Sequence, residues 1–97
     1  MEILNKIEID QYMQKHVVTR NALQQWVETV EQAEWNNHAD LKSTFPSADY
    51  VGNLRYVFNI KGNGYRLVAL VVFISGTLVI RFIGTHAEYD KIDSKTV

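Results

Sequence analysis

The stretch Val57-Phe58-Asn59-Ile60-Lys61-Gly62-Asn63-Gly64-Tyr65-Arg66-Leu67 decides how this chain folds. Gly62-Asn63 is a two-residue hairpin signal between two runs of strand-type residues. With those two residues as the loop, Lys61 faces Gly64, and Asn59 pairs with Arg66, Val57 with Val68 and Arg55 with Leu70. Ser75-Gly76 is a second signal of the same kind and sets Ile74 against Thr77. Together the hairpins predict three rows on one face of a sheet: Asn59–Arg66–Thr85, Val57–Val68–Ile83 and Arg55–Leu70–Arg81. Lys61 extends that face past the first row. The opposite face carries Leu54, Tyr56, Phe58, Ile60, Tyr65, Leu67, Ala69, Val71, Phe73, Leu78, Ile80 and Phe82, with no charge. It must pack on the rest of the chain, because a one-residue slip would bury arginines.

Upstream, Met1 to Leu4 reads as a short first strand. Asn5 is a candidate cap for a helix with Ile7, Tyr12 and Met13 toward the core. Thr19 is a candidate cap for a second helix running to about Trp35. Its Leu23, Trp26, Val27, Val30 and Ala33 recur at spacings of three and four, a helical stripe that makes Trp26 a core residue. Asn37-His38-Ala39-Asp40 opens a short third helix or turn that Pro46 ends. Ser47 to Asn53 reads as a loop, and strands begin at Leu54. The expectation is one α+β domain spanning residues 1–97, with the N-terminal helices on one face of an antiparallel sheet.

Ninety-seven residues suffice for one core and not for two. There is no cysteine, hence no disulfide and no thiolate for catalysis or metal binding, which fits a reducing cytoplasm. No signal-peptide pattern opens the chain, and the longest apolar run, Leu67 to Ile74, is far shorter than a membrane span. Net charge is −1, so the whole molecule is no magnet for nucleic acid, but its distribution is uneven. Glu2, Glu8, Asp10, Glu28, Glu31 and Glu34 outnumber Lys6, Lys15 and Arg20 in residues 1–34. Residues 51–84 contain Arg55, Lys61, Arg66 and Arg81 and no acid. The sheet is basic where the helices are acidic.

Thr85-His86-Ala87-Glu88 matches a capping box, so a last helical turn begins where the last strand ends. His86 then stands first in that turn, with Tyr89 and Asp90 three and four residues on, along the same side. The predicted rows bring His86 close to Arg66, Asn59 and the Lys61 hairpin, with Asn63 in its loop. Arg81 falls roughly 13 Å away by backbone rise and takes a flanking-phosphate role, as does Arg55 if it is more than a solvated strand residue. This set suits cleavage of an RNA phosphodiester by its own 2′-hydroxyl. A histidine suits the proton transfers, and a guanidinium matches phosphate geometry and stays charged. Stabilising the charge that develops on phosphorus is the largest need. Tyr89 has three open roles: a hydrogen bond to phosphate, a share in proton transfer, or stacking on a base.

Each residue also has a plainer reading. Tyr89 serves equally as a core anchor, Asn63 as a turn residue, Asp90 as an orienting group, and His16 and His38 as surface or capping residues. No histidine pair has useful metal spacing. Walker loops, nucleophile elbows and dinucleotide fingerprints are absent, so no cofactor is expected.

Leu41-Lys42-Ser43-Thr44-Phe45-Pro46, Val57 to Asn63, Tyr65-Arg66-Leu67 and Ile80-Arg81 through Asp90 resemble the HigB-type toxins. These are a branch of the RelE-like endoribonuclease toxins of type II toxin–antitoxin systems. The likeness spans about Ala33 to Ile92 and is most specific in the Thr-His-x-x-Tyr-Asp ending. It implies a RelE-like fold with the short C-terminal helix near the active face, and metal-independent mRNA cleavage, usually on the ribosome. It also implies a HigA-like antitoxin with a helix-turn-helix domain, and contact with operator DNA only through that complex. Carried over by position, it puts the catalytic lysine, arginine, histidine and tyrosine at Lys61, Arg66, His86 and Tyr89. Arg55, Asn59, Asn63 and Arg81 are left as RNA-binding support. Two other classes stay open: a non-catalytic RNA- or ribosome-binding module, and a protein-interaction module using the strip Val57, Val68, Leu70 and Ile83.

Overall fold

In the computed structural model, which describes residues 1–97, five strands form one mixed sheet in the order β1-β5-β4-β3-β2. The strands are β1 (Glu2–Ile3), β2 (Asp49–Gly52), β3 (Arg55–Ile60), β4 (Tyr65–Val72) and β5 (Thr77–Thr85). β1 runs parallel to β5, and the other neighbours are antiparallel. Helices α1 (Ile7–Lys15), α2 (Arg20–Gln32) and α3 (His38–Thr44) lie between β1 and β2 in the chain, and α4 (His86–Tyr89) follows β5.

The apolar stripes fuse into one core. α2 buries Leu23, Trp26, Val27 and Val30 against Tyr56, Phe58, Ile60, Leu67, Ala69, Val71, Leu78 and Ile80 of the sheet. Each of the buried Val, Leu, Ile and Phe side chains contributes about 1.5–3 kcal/mol by leaving water. Trp26 and Phe45 both meet Phe58 edge-on, at ring separations of 5.3 and 5.2 Å. Trp35 lies past the end of α2, yet it is buried and donates its indole N–H to Thr44 Oγ1 at 2.9 Å.

Several expectations need correction. Asn5 does not cap α1 with its side chain. Its amide instead brackets Ile80, donating to the carbonyl and accepting from the N–H, both at 2.7 Å, as an extra rung beyond β1. Ile9, not Ile7, is the buried residue of α1; Ile7 is exposed. Thr19 precedes α2 with helical backbone angles and donates its hydroxyl to His16 O. Asp49–Gly52 is a strand, not a loop, and Leu54 is an exposed turn residue, with Asn53 and Leu54 at φ +50° and +64°.

The first hairpin has the expected register from Ile60 with Tyr65 to Arg55 with Leu70, but Lys61 to Gly64 form a four-residue turn, so Lys61 and Gly64 are not the strand pair expected. The second does not. Its last pair is Val72 with Thr77, leaving a four-residue loop, and a bulge at Arg81 breaks the ladder between Ile80 and Phe82. Val79 therefore lies opposite Leu70, where Arg81 was expected, and Gly84 lies opposite Arg66, where Thr85 was expected. The bulge also exchanges two side chains. Ile83 packs against the core, while Phe82 stands opposite Val68 on the outer face.

Candidate active site

The outer face of the sheet turns away from the three helices, and at its hairpin end three segments meet. Gly62 takes φ +64° and so permits the tight loop between β3 and β4, while Lys61 next to it is exposed at φ +53°. Asn59 lies directly opposite Arg66, and Arg66 opposite Gly84. Arg66 leans toward the loop, donating Nη1 to the Asn63 and Tyr65 carbonyls at 3.1 Å each.

α4 is tied to this hairpin. The His86 N–H donates to the Gly64 carbonyl at 3.0 Å, extending the β4–β5 ladder past its last strand pair. Alternation along β5 sets position 86 on the side of Gly84, diagonal to Arg66. The capping box forms as expected: Thr85 Oγ1 accepts from Glu88 N at 3.1 Å, and Glu88 Oε1 accepts from Thr85 N at 2.8 Å. The Thr85 main-chain N–H holds the Glu88 carboxyl below its ordinary range, helped by the Thr85 side chain.

His86 is exposed, with Nε2 3.6 Å from Asp90 Oδ2. Both groups are wet, so this pair orients the ring more than it stabilises the fold. Tyr89 is half-buried one turn on. Gly84 has a steric reason to lack a side chain: a Cβ there would meet Phe82 Cζ at 2.5 Å and Glu88 Oε1 at 3.1 Å.

The supporting residues divide. Asn59 and Asn63 stay with Arg66 at the hairpin end. Arg55 and Arg81 sit at the other end, where their Nε atoms both donate to the Val97 main-chain oxygen, at 2.9 and 3.1 Å. Residues 91–97 fold back toward this face, and Asn53 Nδ2 holds the Lys95 carbonyl at 2.9 Å. The strip proposed for partner docking is not open, since Val57 and Val68 are 4 % and 0 % exposed.

Two features behind the site were missed. Tyr12 stacks on His16 at 4.1 Å between ring centres and meets Tyr65 edge-on at 6.4 Å. Burial first, then the nearby Glu88 charge, raises the Tyr12 pKa. The inward packing of Tyr12 was expected, but nothing local linked it to His16, Tyr65 or Glu88. The segment 91–97 carries no periodicity that could have announced its return to the sheet.

The description "HigB_toxin, RelE-like toxic component of a toxin-antitoxin system" belongs to the family model that matches residues 19–92. The chain belongs to the HigB toxin family. The matched span includes α2, α3, β2 to β5 and α4. The mRNA interferase toxin HigB of Escherichia coli K12 is 35% identical over 91 residues, covering 77% of this chain and 88% of that protein. The mRNA interferase HigB of Shigella flexneri shows the same identity and coverage. The mRNA interferase HigB of Escherichia coli O6:H1 is 26% identical over 94 residues, covering 95% of this chain and 91% of that protein. No helix of this HigB-family chain is long and apolar enough to cross a membrane.

Proposed function

We propose that this chain is an endoribonuclease toxin that cuts mRNA at the hairpin end of its outer face, through Arg66, His86, Lys61 and Tyr89. The family match and the relatives named mRNA interferases support the activity. The observation that carries the site is the hydrogen bond from His86 N–H to Gly64 O, which ties the imidazole's segment to the hairpin bearing Lys61 and Arg66.

The reaction needs no metal, because the RNA supplies its own nucleophile. The 2′-oxygen attacks phosphorus as its proton passes to a base, a new P–O2′ bond forms, and the P–O5′ bond breaks. The departing 5′-oxygen takes a proton from an acid, leaving a 2′,3′-cyclic phosphate and a 5′-hydroxyl. His86 and Tyr89 share these two proton transfers. Arg66 and Lys61 stabilise the charge on the five-coordinate phosphorus. Asn59 and Asn63 orient the strand, and Arg55 and Arg81 hold a flanking phosphate. Cleavage takes place on translating ribosomes. A HigA-like antitoxin with a helix-turn-helix domain neutralises the toxin, and the complex contacts operator DNA through that partner.

The test is end-mapping of cellular RNA after expression of the chain and of His86→Ala and Arg66→Ala variants. New 5′-hydroxyl ends and growth arrest are expected from the parent and not from the variants. A folded double variant that still cuts and arrests growth would sink the site assignment.

A further inference from the structure

Resting on the RNA-cleaving reading above, we propose that Arg55 and Arg81 form a second phosphate-binding subsite for which RNA competes with residues 93–97 of the protein itself. The two side chains come from strands separated by β4, yet each aims its Nε at one oxygen, that of Val97. Their Nε atoms therefore lie within about 6 Å of one another. Arg81 is the extra residue at the β5 bulge, and Arg55 lies opposite Leu70 across β4, so the two side chains rise from neighbouring positions of one face.

Two guanidiniums at this separation repel. The two ion pairs of the molecule, Lys6–Glu31 and His86–Asp90, involve neither of them. The only acceptors of the pair are the Val97 oxygen and the Asn53 carbonyl, the latter 2.9 Å from Arg55 Nη1. A phosphate brings several charged oxygens matched to guanidinium forks, and charge-assisted bonds of that kind are the stronger ones.

The position suits a strand of RNA already held at the hairpin. Arg55 is four residues along β3 from Asn59, roughly 13 Å by strand rise, so a flanking phosphate falls within reach. The segment in the way is lightly tethered. Asn53 Nδ2 holds the Lys95 carbonyl, and two bonds at 3.0 Å, Lys95 N to Asp93 Oδ1 and Val97 N to Asp93 O, lie within the segment itself. Its detachment requires no break in the ladder of the sheet.

The experiment measures binding of a fully 2′-O-methylated, uncleavable RNA oligonucleotide to the full chain across a salt series. Arg55→Gln and Arg81→Gln should each weaken binding and flatten the plot of log K against log salt by about 0.7. Asn53→Gly frees the Lys95 carbonyl while suiting the left-handed backbone there, and should tighten binding several-fold. Addition of RNA should speed hydrogen exchange at the Thr96 and Val97 amides. Unchanged salt slopes in the arginine variants, unchanged exchange at residues 96 and 97, or no binding at all would overturn the proposal. Because the probe cannot be cut, loss of cleavage in the His86 variant bears on the catalytic reading alone.

Discussion

The two ends of the outer face carry the same residue type on the same sheet, but they are finished differently. At the hairpin end, Arg66 takes its acceptors from the adjacent turn, and His86 and Lys61 stand exposed beside it. At the far end, Arg55 and Arg81 take theirs from a segment that has travelled back from beyond α4. Charge alone therefore does not tell the two ends apart. What distinguishes the ends is whether the chain's own oxygens come from nearby, leaving a face open, or from afar, closing it.

His86→Ala is the strongest way to break this contrast. It should lower single-turnover RNA cleavage by about 10²–10⁴-fold, the usual worth of general acid–base catalysis. The thermal midpoint should barely move, since His86 is exposed. Arg66→Ala should cost about 10²–10³-fold in the same assay, as for other groups that stabilise transition-state charge. Arg55→Ala should cost under about tenfold, and equal losses at the two arginines would erase the distinction between the ends. Gly84→Ala sharpens the point sterically. Its methyl would sit 2.5 Å from Phe82 Cζ, so thermal unfolding should show a loss of about 1–3 kcal/mol from overpacking.

The smallest effect concerns acid. Glu88 has a folded pKa below its ordinary value of 4.5, so it stabilises the folded form above that pH. That contribution disappears as pH falls through the lower folded value. Amide exchange in α4 should accelerate on acidification across that window, and Glu88→Gln should remove the dependence. An identical acid profile in the variant would show that the cap does not hold the histidine's segment.

The first hairpin was legible because Gly62 marks its turn and charged residues forbid a slipped register. The second misled for a physical reason. Gly76 takes φ +68° and its N–H donates to the Phe73 carbonyl at 3.1 Å, so the turn spans Phe73 to Gly76 instead of Ser75-Gly76 alone. The bulge at Arg81 then recovers one position and leaves Arg66 facing Gly84. His86 stayed beside the hairpin even though its expected neighbour in the row was off by one. β2 escaped notice because its turn puts Asn53 and Leu54 in left-handed backbone, where Leu54 is not a residue that marks a turn. The fold-back of residues 91–97 depends on arginines sixteen and forty-two positions away, a distance no local pattern encodes.

The pairing of the first strand with the last has a consequence for synthesis. Glu2 and Ile3 wait for Thr77 and Leu78, so the sheet cannot be completed until β5 has left the ribosome. The imidazole follows only after that closing strand. Under the proposed site, a chain that has not yet added β5 and α4 lacks both the closed sheet and the imidazole.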